Sequence, residues 1–180
     1  DWSSDVCSSD LFVDQNLSKR YPKFDGLKSF HSQVEVLKTL AIGANAPDIV
    51  IPDKEGKNIS LSSLRGKVVL IDFWASWCKP CMAEVPNVKK QYEKFKSKGF
   101  EVFGVSLDHE KNKWLGAISE NKMDWIHGCD VQPNGNSAAA RSYNVSSIPF
   151  TLLVDTSGKI IAKNLRGETL TAELEKTFSK

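Results

Sequence analysis

Residues 67–74, KVVLIDFW, make an apolar run bounded by Gly66, and the chain passes from it almost directly into Trp77-Cys78-Lys79-Pro80-Cys81. A run this short and this rich in β-branched and aromatic residues reads as a strand buried on both faces. Beyond the cysteines, Val85, Val88, Tyr92 and Phe95 recur at three and four residues with Lys89, Lys90, Glu93 and Lys94 between them, which predicts an amphipathic helix. A strand covered on both faces that feeds straight into a helix requires layers of helix around a sheet. The chain is therefore constrained to an α/β architecture.

The remaining pattern agrees. Asp48 to Ser60 holds two short apolar stretches around Asp53-Lys54-Glu55-Gly56-Lys57, a β-hairpin with a Gly-containing turn. One helical turn is expected over Ser62–Arg65. Gly99 marks the end of the first helix, Phe100–Leu107 reads as a second strand, and Asp108 as the N-cap of a helix carrying Trp114, Leu115 and Ile118. A short strand is expected at Trp125-Ile126 and a short helix over Ser137–Tyr143. Strands over Thr151–Val154 and Lys159–Ala162 are joined by Asp155-Thr156-Ser157-Gly158, and a helix over Thr169–Phe178 closes the chain. Pro86, inside the first helix, predicts a kink.

Charge and hydropathy exclude two classes of partner. Lys plus Arg is 24 against 22 for Asp plus Glu, a net +2 with no dense basic stripe, so nucleic acid is not expected. The most apolar run, Val68–Ala75, is far short of the roughly 20 residues that span a bilayer, and Asp72 interrupts it.

Of the four cysteines, Cys7, Cys78, Cys81 and Cys129, only one pair is spaced for chemistry. Zinc would call for a second pair or a His pair, and the three histidines His31, His109 and His127 are scattered. Haem attachment would need His where Met82 stands. No metal or other cofactor is expected; the dithiol itself is the redox group. Disulfide exchange needs one sulfur that attacks as thiolate and a second that resolves the mixed disulfide. Cys78 falls at a helix start, where unpaired N–H groups and the helix dipole favour negative charge, so it reads as the nucleophile. Cys81, one turn inside, reads as the less exposed resolving thiol. Lys79 either supports the thiolate or points into water. Asp72, a carboxyl in an apolar strand, either has a raised pKa suited to moving protons or marks a strand exit. Glu84 shares the helix face of Cys81. Trp74 and Trp77 read as packing residues, with Trp77 bordering a client groove. Cys129 reads as a bystander.

The segments VVLIDFWASWCKPCMAEVPNV, FEVFGVSLD and YNVSSIPFTLLVD with SGKIIAKNLRGE together resemble thioredoxin-like proteins of the TlpA/ResA type, particularly their Bacteroidetes versions. The resemblance covers about residues 42–180. It implies a thioredoxin fold: a central mixed β-sheet flanked by helices, with the N-terminal hairpin as an extension. It also implies that Pro80 tunes the redox couple, that Asp72 lies behind the resolving cysteine as a proton carrier, and that Glu84 acts near the site. Ile148-Pro149 matches a cis-proline loop whose backbone pairs with the client. The implied partners are cysteine-containing client proteins and an upstream thiol electron donor, and the implied location is the periplasm or cell envelope.

Residues 1–11, DWSSDVCSSDL, resemble the conceptual translation of a sequencing adapter, so Cys7 carries no functional weight. Residues 12–41, with Leu27, Phe30, Val34 and Leu37 after Tyr21-Pro22, read as a short helix or linker belonging to an upstream region, and residues 42–180 as the thioredoxin-like domain. The expectation is that the natural N-terminus, with any signal sequence, is missing. The leading function is reduction of protein disulfides through Cys78 and Cys81. Two alternatives stand beside it: a peroxiredoxin-like activity, suggested by Ala46-Pro47-Asp48 and the hairpin, and a client-binding module serving an upstream domain.

Overall fold

A computed structural model describes Asn16, Lys19, Arg20, Glu35, residues 38–130 and residues 137–179. The adapter-like segment and nearly all of the helix expected after Tyr21-Pro22 lie outside the described residues.

Strands β1 (Val50–Pro52) and β2 (Asn58–Ser60) pair antiparallel as a separate hairpin, followed by a 3-10 turn at Leu61–Leu64. Then come β3 (Val68–Trp74), helix α1 (Lys79–Phe95), β4 (Phe100–Ser106), α2 (Lys111–Asn121), β5 (Ile126–Cys129), α3 (Ala138–Ser142), β6 (Phe150–Val154), β7 (Ile160–Lys163) and α4 (Gly167–Phe178). The main sheet has the order β5-β4-β3-β6-β7. β3, β4 and β5 run parallel, whereas β6 lies antiparallel to β3 and to β7. This is the mixed sheet with flanking helices of the thioredoxin fold.

The period-two geometry of β3 decides what faces what. Val68, Leu70 and Trp74 join a core built with Cys78, Cys81, Val85 and Val88 of the α1 region and Leu170 and Leu174 of α4. Val69, Ile71 and Phe73 point the other way, into a core shared with Ile49, Ile51 and Tyr143. Leu70 and Ile71 are both fully buried, each removing apolar surface worth about 1.5–3 kcal/mol. Asp72 takes the same face as Leu70 and Trp74. The carboxyl that breaks the apolar run therefore belongs to the side of the sheet that carries the cysteines.

Two details differ from the sequence reading. The helix after β4 begins at Lys111 with Glu110 at its cap, and Asp108 is engaged elsewhere because its carboxylate is drawn to donors before Cys78. Pro86 lies inside α1, which runs continuously for 17 residues. The helix stop placed at Gly99 is reached through a 3-10 turn over Lys96–Lys98, with Gly99 left-handed at φ 92°.

Candidate active site

Cys78 and Cys81 are joined, with an S–S distance of 2.05 Å. Cys78 has extended backbone and caps α1: its Sγ accepts the N–H of Cys81 at 3.2 Å. Pro80 lies in the first turn, where its missing N–H leaves no intrahelical bond unmade. Lys79 and Pro80 are both exposed. The local sequence thus folds so that the first sulfur sits against the positive end of a helix, a setting that stabilises a thiolate. The expected difference in exposure is not found in the disulfide form: Cys78 is 4% and Cys81 5% exposed, because both sulfurs are tucked into the α1 core. Trp77, by contrast, is 59% exposed and borders a groove of about 500 Å3 that also touches Leu107, His109 and Arg141.

Asp72 pairs across the sheet with Gly104 of β4 and Thr151 of β6. Some of the residue reaches solvent, yet loss of hydration around its carboxyl is the largest influence and pushes its pKa up to about 7. The negative charge of Glu84 adds to that rise, and the positive charge of Arg166 opposes it. Glu84 is no freely solvated helix residue. One carboxylate oxygen accepts the side-chain amide of Asn87 at 2.6 Å and the backbone N–H of Gly167 at 2.7 Å, tying α1 to the first turn of α4.

Ile148-Pro149 is cis, as the resemblance implied. Pro149 is buried, and Ile148 is half-buried, packing against both cores. The carbonyl of Pro149 accepts a hydrogen bond from Nη2 of Arg166.

Sequence reasoning missed two residues of this region. Arg166 occupies the N-cap of α4, a position that ordinarily favours Ser, Thr, Asp or Asn. That departure was the available signal. Asp108, read as a helix cap, instead accepts the N–H and hydroxyl of Ser76 and the hydroxyl of Ser106, clamping the loop that enters Cys78. Cys129 is a free buried thiol, its pKa pushed up to about 11, chiefly by burial. Among the described residues no group of three or more His, Cys, Asp or Glu is placed to hold a metal, and no helix is long and apolar enough to cross a membrane. A cavity of about 800 Å3 lies away from the disulfide, with Ile59 of the hairpin, Ile118 of α2 and Ile126 of β5 in its lining.

Residues 42–164 match the model of the AhpC/TSA family. Among curated proteins, the chain is 32% identical over 141 residues to the thiol-disulfide oxidoreductase ResA of Bacillus cereus, covering 78% of this chain and 79% of ResA. It also resembles the crystal structure of the thioredoxin domain of a thiol-disulfide oxidoreductase from Bacteroides vulgatus, with a TM-score of 0.72 and 40% identity over 77% of this chain and 99% of that one. The C-terminal domain of a putative thiol-disulfide oxidoreductase from Bacteroides thetaiotaomicron gives a TM-score of 0.72 at 36% identity, over 78% of this chain and 98% of that domain. With a CxxC pair at bonding distance on a thioredoxin fold, the chain belongs to the AhpC/TSA family and is one of its thioredoxin-like thiol-disulfide oxidoreductases.

Proposed function

We propose that the protein reduces disulfides in other proteins, with Cys78 as nucleophile, Cys81 as resolving thiol and Asp72 as the group that moves the proton between the two steps. The observation that carries this reading is the placing of Cys78 Sγ at the N-terminus of α1, on the sheet face where Asp72 is held with a pKa of about 7. In the first step the Cys78 thiolate attacks one sulfur of the client disulfide. A bond forms between Cys78 and the client, and the other client sulfur leaves as thiolate. Asp72 then takes the proton of the Cys81 thiol. The new thiolate attacks Cys78 Sγ, releasing the second client thiol and leaving the Cys78–Cys81 disulfide. The client gains two electrons, and an upstream dithiol must return two electrons to this protein. A carboxyl with a pKa near neutrality is suited to that exchange, since it can both accept and give up a proton at working pH.

Glu84 holds α4 against α1 and keeps negative charge near Asp72. Trp77, Lys79, Pro80, Ile148 and Pro149 form the surface on which a client peptide would lie. Clients are cysteine-containing proteins, and by its resemblance to TlpA/ResA-type proteins the work is done outside the cytoplasmic membrane, in the periplasm or envelope. Residues 42–180 form the working domain, and Leu40, just before it, packs into the domain's second core.

Equilibration of the chain in glutathione or dithiothreitol buffers, followed by thiol trapping, tests the reading. We expect a potential towards the thioredoxin end of the scale, about −270 mV, with turnover of a model disulfide that is lost in Cys78→Ser. A value near −120 mV would mark an oxidant or isomerase instead. Hydroperoxide consumption that survives Cys81→Ser would favour the peroxidase alternative, and full client binding by Cys78→Ser/Cys81→Ser without turnover would favour the binding module.

A further inference from the structure

Arg166 stands where three parts of the site meet. Its guanidinium donates to the Pro149 carbonyl, in the loop that the proposed function assigns to the client. Its backbone N–H donates to Thr169 Oγ1 at 3.0 Å, which closes the first turn of α4. The next residue, Gly167, donates its N–H to Glu84 on α1 at 2.7 Å. Two residues before Arg166 the chain is tied again to β6, because Asn164 N–H donates to the Thr151 carbonyl at 2.7 Å. The backbone of Arg166 is thus held on both sides. Its side chain is a long cation fixed at one end and hydrogen-bonded at the other.

The charges around Asp72 come from three elements. Asp72 itself is on β3, the negative charge of Glu84 acts on it from α1, and the positive charge of Arg166 acts on it from the start of α4. The sheet neighbours Gly104 and Thr151 bring no charge. Among the described residues Arg166 is the cation that acts on this acidic pair, and it keeps much of its surface in water, so its pull on Asp72 is partial.

We propose that Arg166 is a positioning residue that couples the client loop to the proton carrier: it holds the Pro149 carbonyl while its charge balances Glu84 at Asp72. Two consequences separate this from a packing role. Loss of the charge leaves Glu84 unopposed, so Asp72 holds its proton to higher pH and the acid limb of turnover moves up. Loss of Glu84 does the reverse. Loss of the hydrogen bond alone, with the charge kept, loosens the loop and raises KM.

This inference rests on the proposed role of Asp72, and the experiment keeps the two apart. The pH dependence of model-disulfide reduction is measured for the full chain and for Asp72→Asn, Arg166→Gln, Arg166→Lys and Glu84→Gln, alongside titration of the Asp72 carboxyl by 13C NMR in the reduced protein. We expect the wild-type limb near pH 7 to vanish in Asp72→Asn. In Arg166→Gln the limb and the carboxyl titration should move up by about half a pH unit or more, and in Glu84→Gln they should move down. Arg166→Lys should restore the limb but keep a KM raised several-fold. An unchanged Asp72 titration in Arg166→Gln, or a shift in the same direction as in Glu84→Gln, overturns the proposal. If Asp72→Asn keeps the limb, Asp72 is not the proton carrier; a titration that still moves in opposite directions in the two variants then supports the electrostatic balance by itself. Should Arg166→Gln fail to fold, Arg166→Lys decides: a wild-type KM there removes the loop contact from the argument and overturns the coupling.

Discussion

Ser76 is bound twice by Asp108, through its backbone N–H at 2.9 Å and its hydroxyl at 2.6 Å, and Asp108 is only 1% exposed. The Ser106 hydroxyl donates to the same carboxylate at 2.8 Å. A buried carboxylate saturated with donors fixes the loop two residues ahead of Cys78. Asp108→Ala strips partners from two hydroxyls and a backbone N–H at once. We expect a loss of at least about 2 kcal/mol in urea denaturation, with the larger effect of hydrogen bonds to charged groups. An undiminished unfolding midpoint would show that the loop does not depend on this clamp.

Asp72 makes stability depend on pH in an unusual direction for an acid. Its folded pKa, about 7, lies above the ordinary carboxyl value, so between roughly pH 4 and 7 the folded state binds more protons than the unfolded one. The contribution of Asp72 is most favourable below that window and is lost as pH rises through about 7. Asp72→Asn should gain stability over the wild type at pH 8, on the order of 4 kcal/mol at roughly 1.4 kcal/mol per pH unit, and gain little at pH 4. Denaturant curves of the oxidised protein at both pH values check this. A gain that is the same at both would mean that the carboxyl is not held protonated.

His127 works in the opposite sense. It is 7% exposed, and burial pushes its pKa down to about 4, against the pull of a 3.2 Å hydrogen bond from Nε2 to the Met123 carbonyl. The folded state therefore keeps the ring neutral while the unfolded chain takes up a proton below about 6.5. Stability from this residue is complete above that value and is lost as pH falls towards 4. In the Asp72→Asn background, where the opposing slope is gone, stability should drop clearly between pH 6.5 and 4.5. Adding His127→Phe should flatten that drop, read as the change in urea midpoint.

Gly128 lets the hairpin lie against β5. A Cβ there would come within 2.4 Å of Ile51 Cγ1 and 2.5 Å of its Cδ1, and Ile51 is itself 3% exposed. With no room to retreat, Gly128→Ala should lower stability by about 1–3 kcal/mol, as overpacking does. The Cys78–Cys81 potential should stay at its wild-type value, because the contact that breaks is on the opposite side of the sheet from α1. A shifted potential would show that the hairpin reaches the redox centre.

The elements were legible because their signals are local. The run at 67–74, the spacing of Val85, Val88, Tyr92 and Phe95, and the turn at Asp155-Thr156-Ser157-Gly158 each carry their structure within about a dozen residues, and β3, α1 and the β6–β7 hairpin appear where those signals placed them. Cys78 and Cys81 were legible for the same reason: three residues apart at a helix start, they can hardly avoid each other. Asp108 was misread because a capping signal is local, whereas its actual donors, on Ser76 and Ser106, come partly from another strand end 32 residues away. Arg166 went unread because its local signal, an unusual N-cap, is hidden when the helix is expected to start at Thr169, and its partner, the Pro149 carbonyl, lies 17 residues away.

The sequence by itself determined that this chain is a layered α/β protein with one exchange-competent cysteine pair, since alternation, helix period and CxxC spacing are properties of neighbouring residues. Only the tertiary structure decided which charges surround Asp72. Pairing β3 with β6 and packing α1 against the start of α4 bring Glu84 and Arg166 to it from positions 12 and 94 residues further along the chain. Electrostatic interaction depends on distance in space and on the water excluded between charges. Neither quantity exists until the sheet and helices have closed around the site.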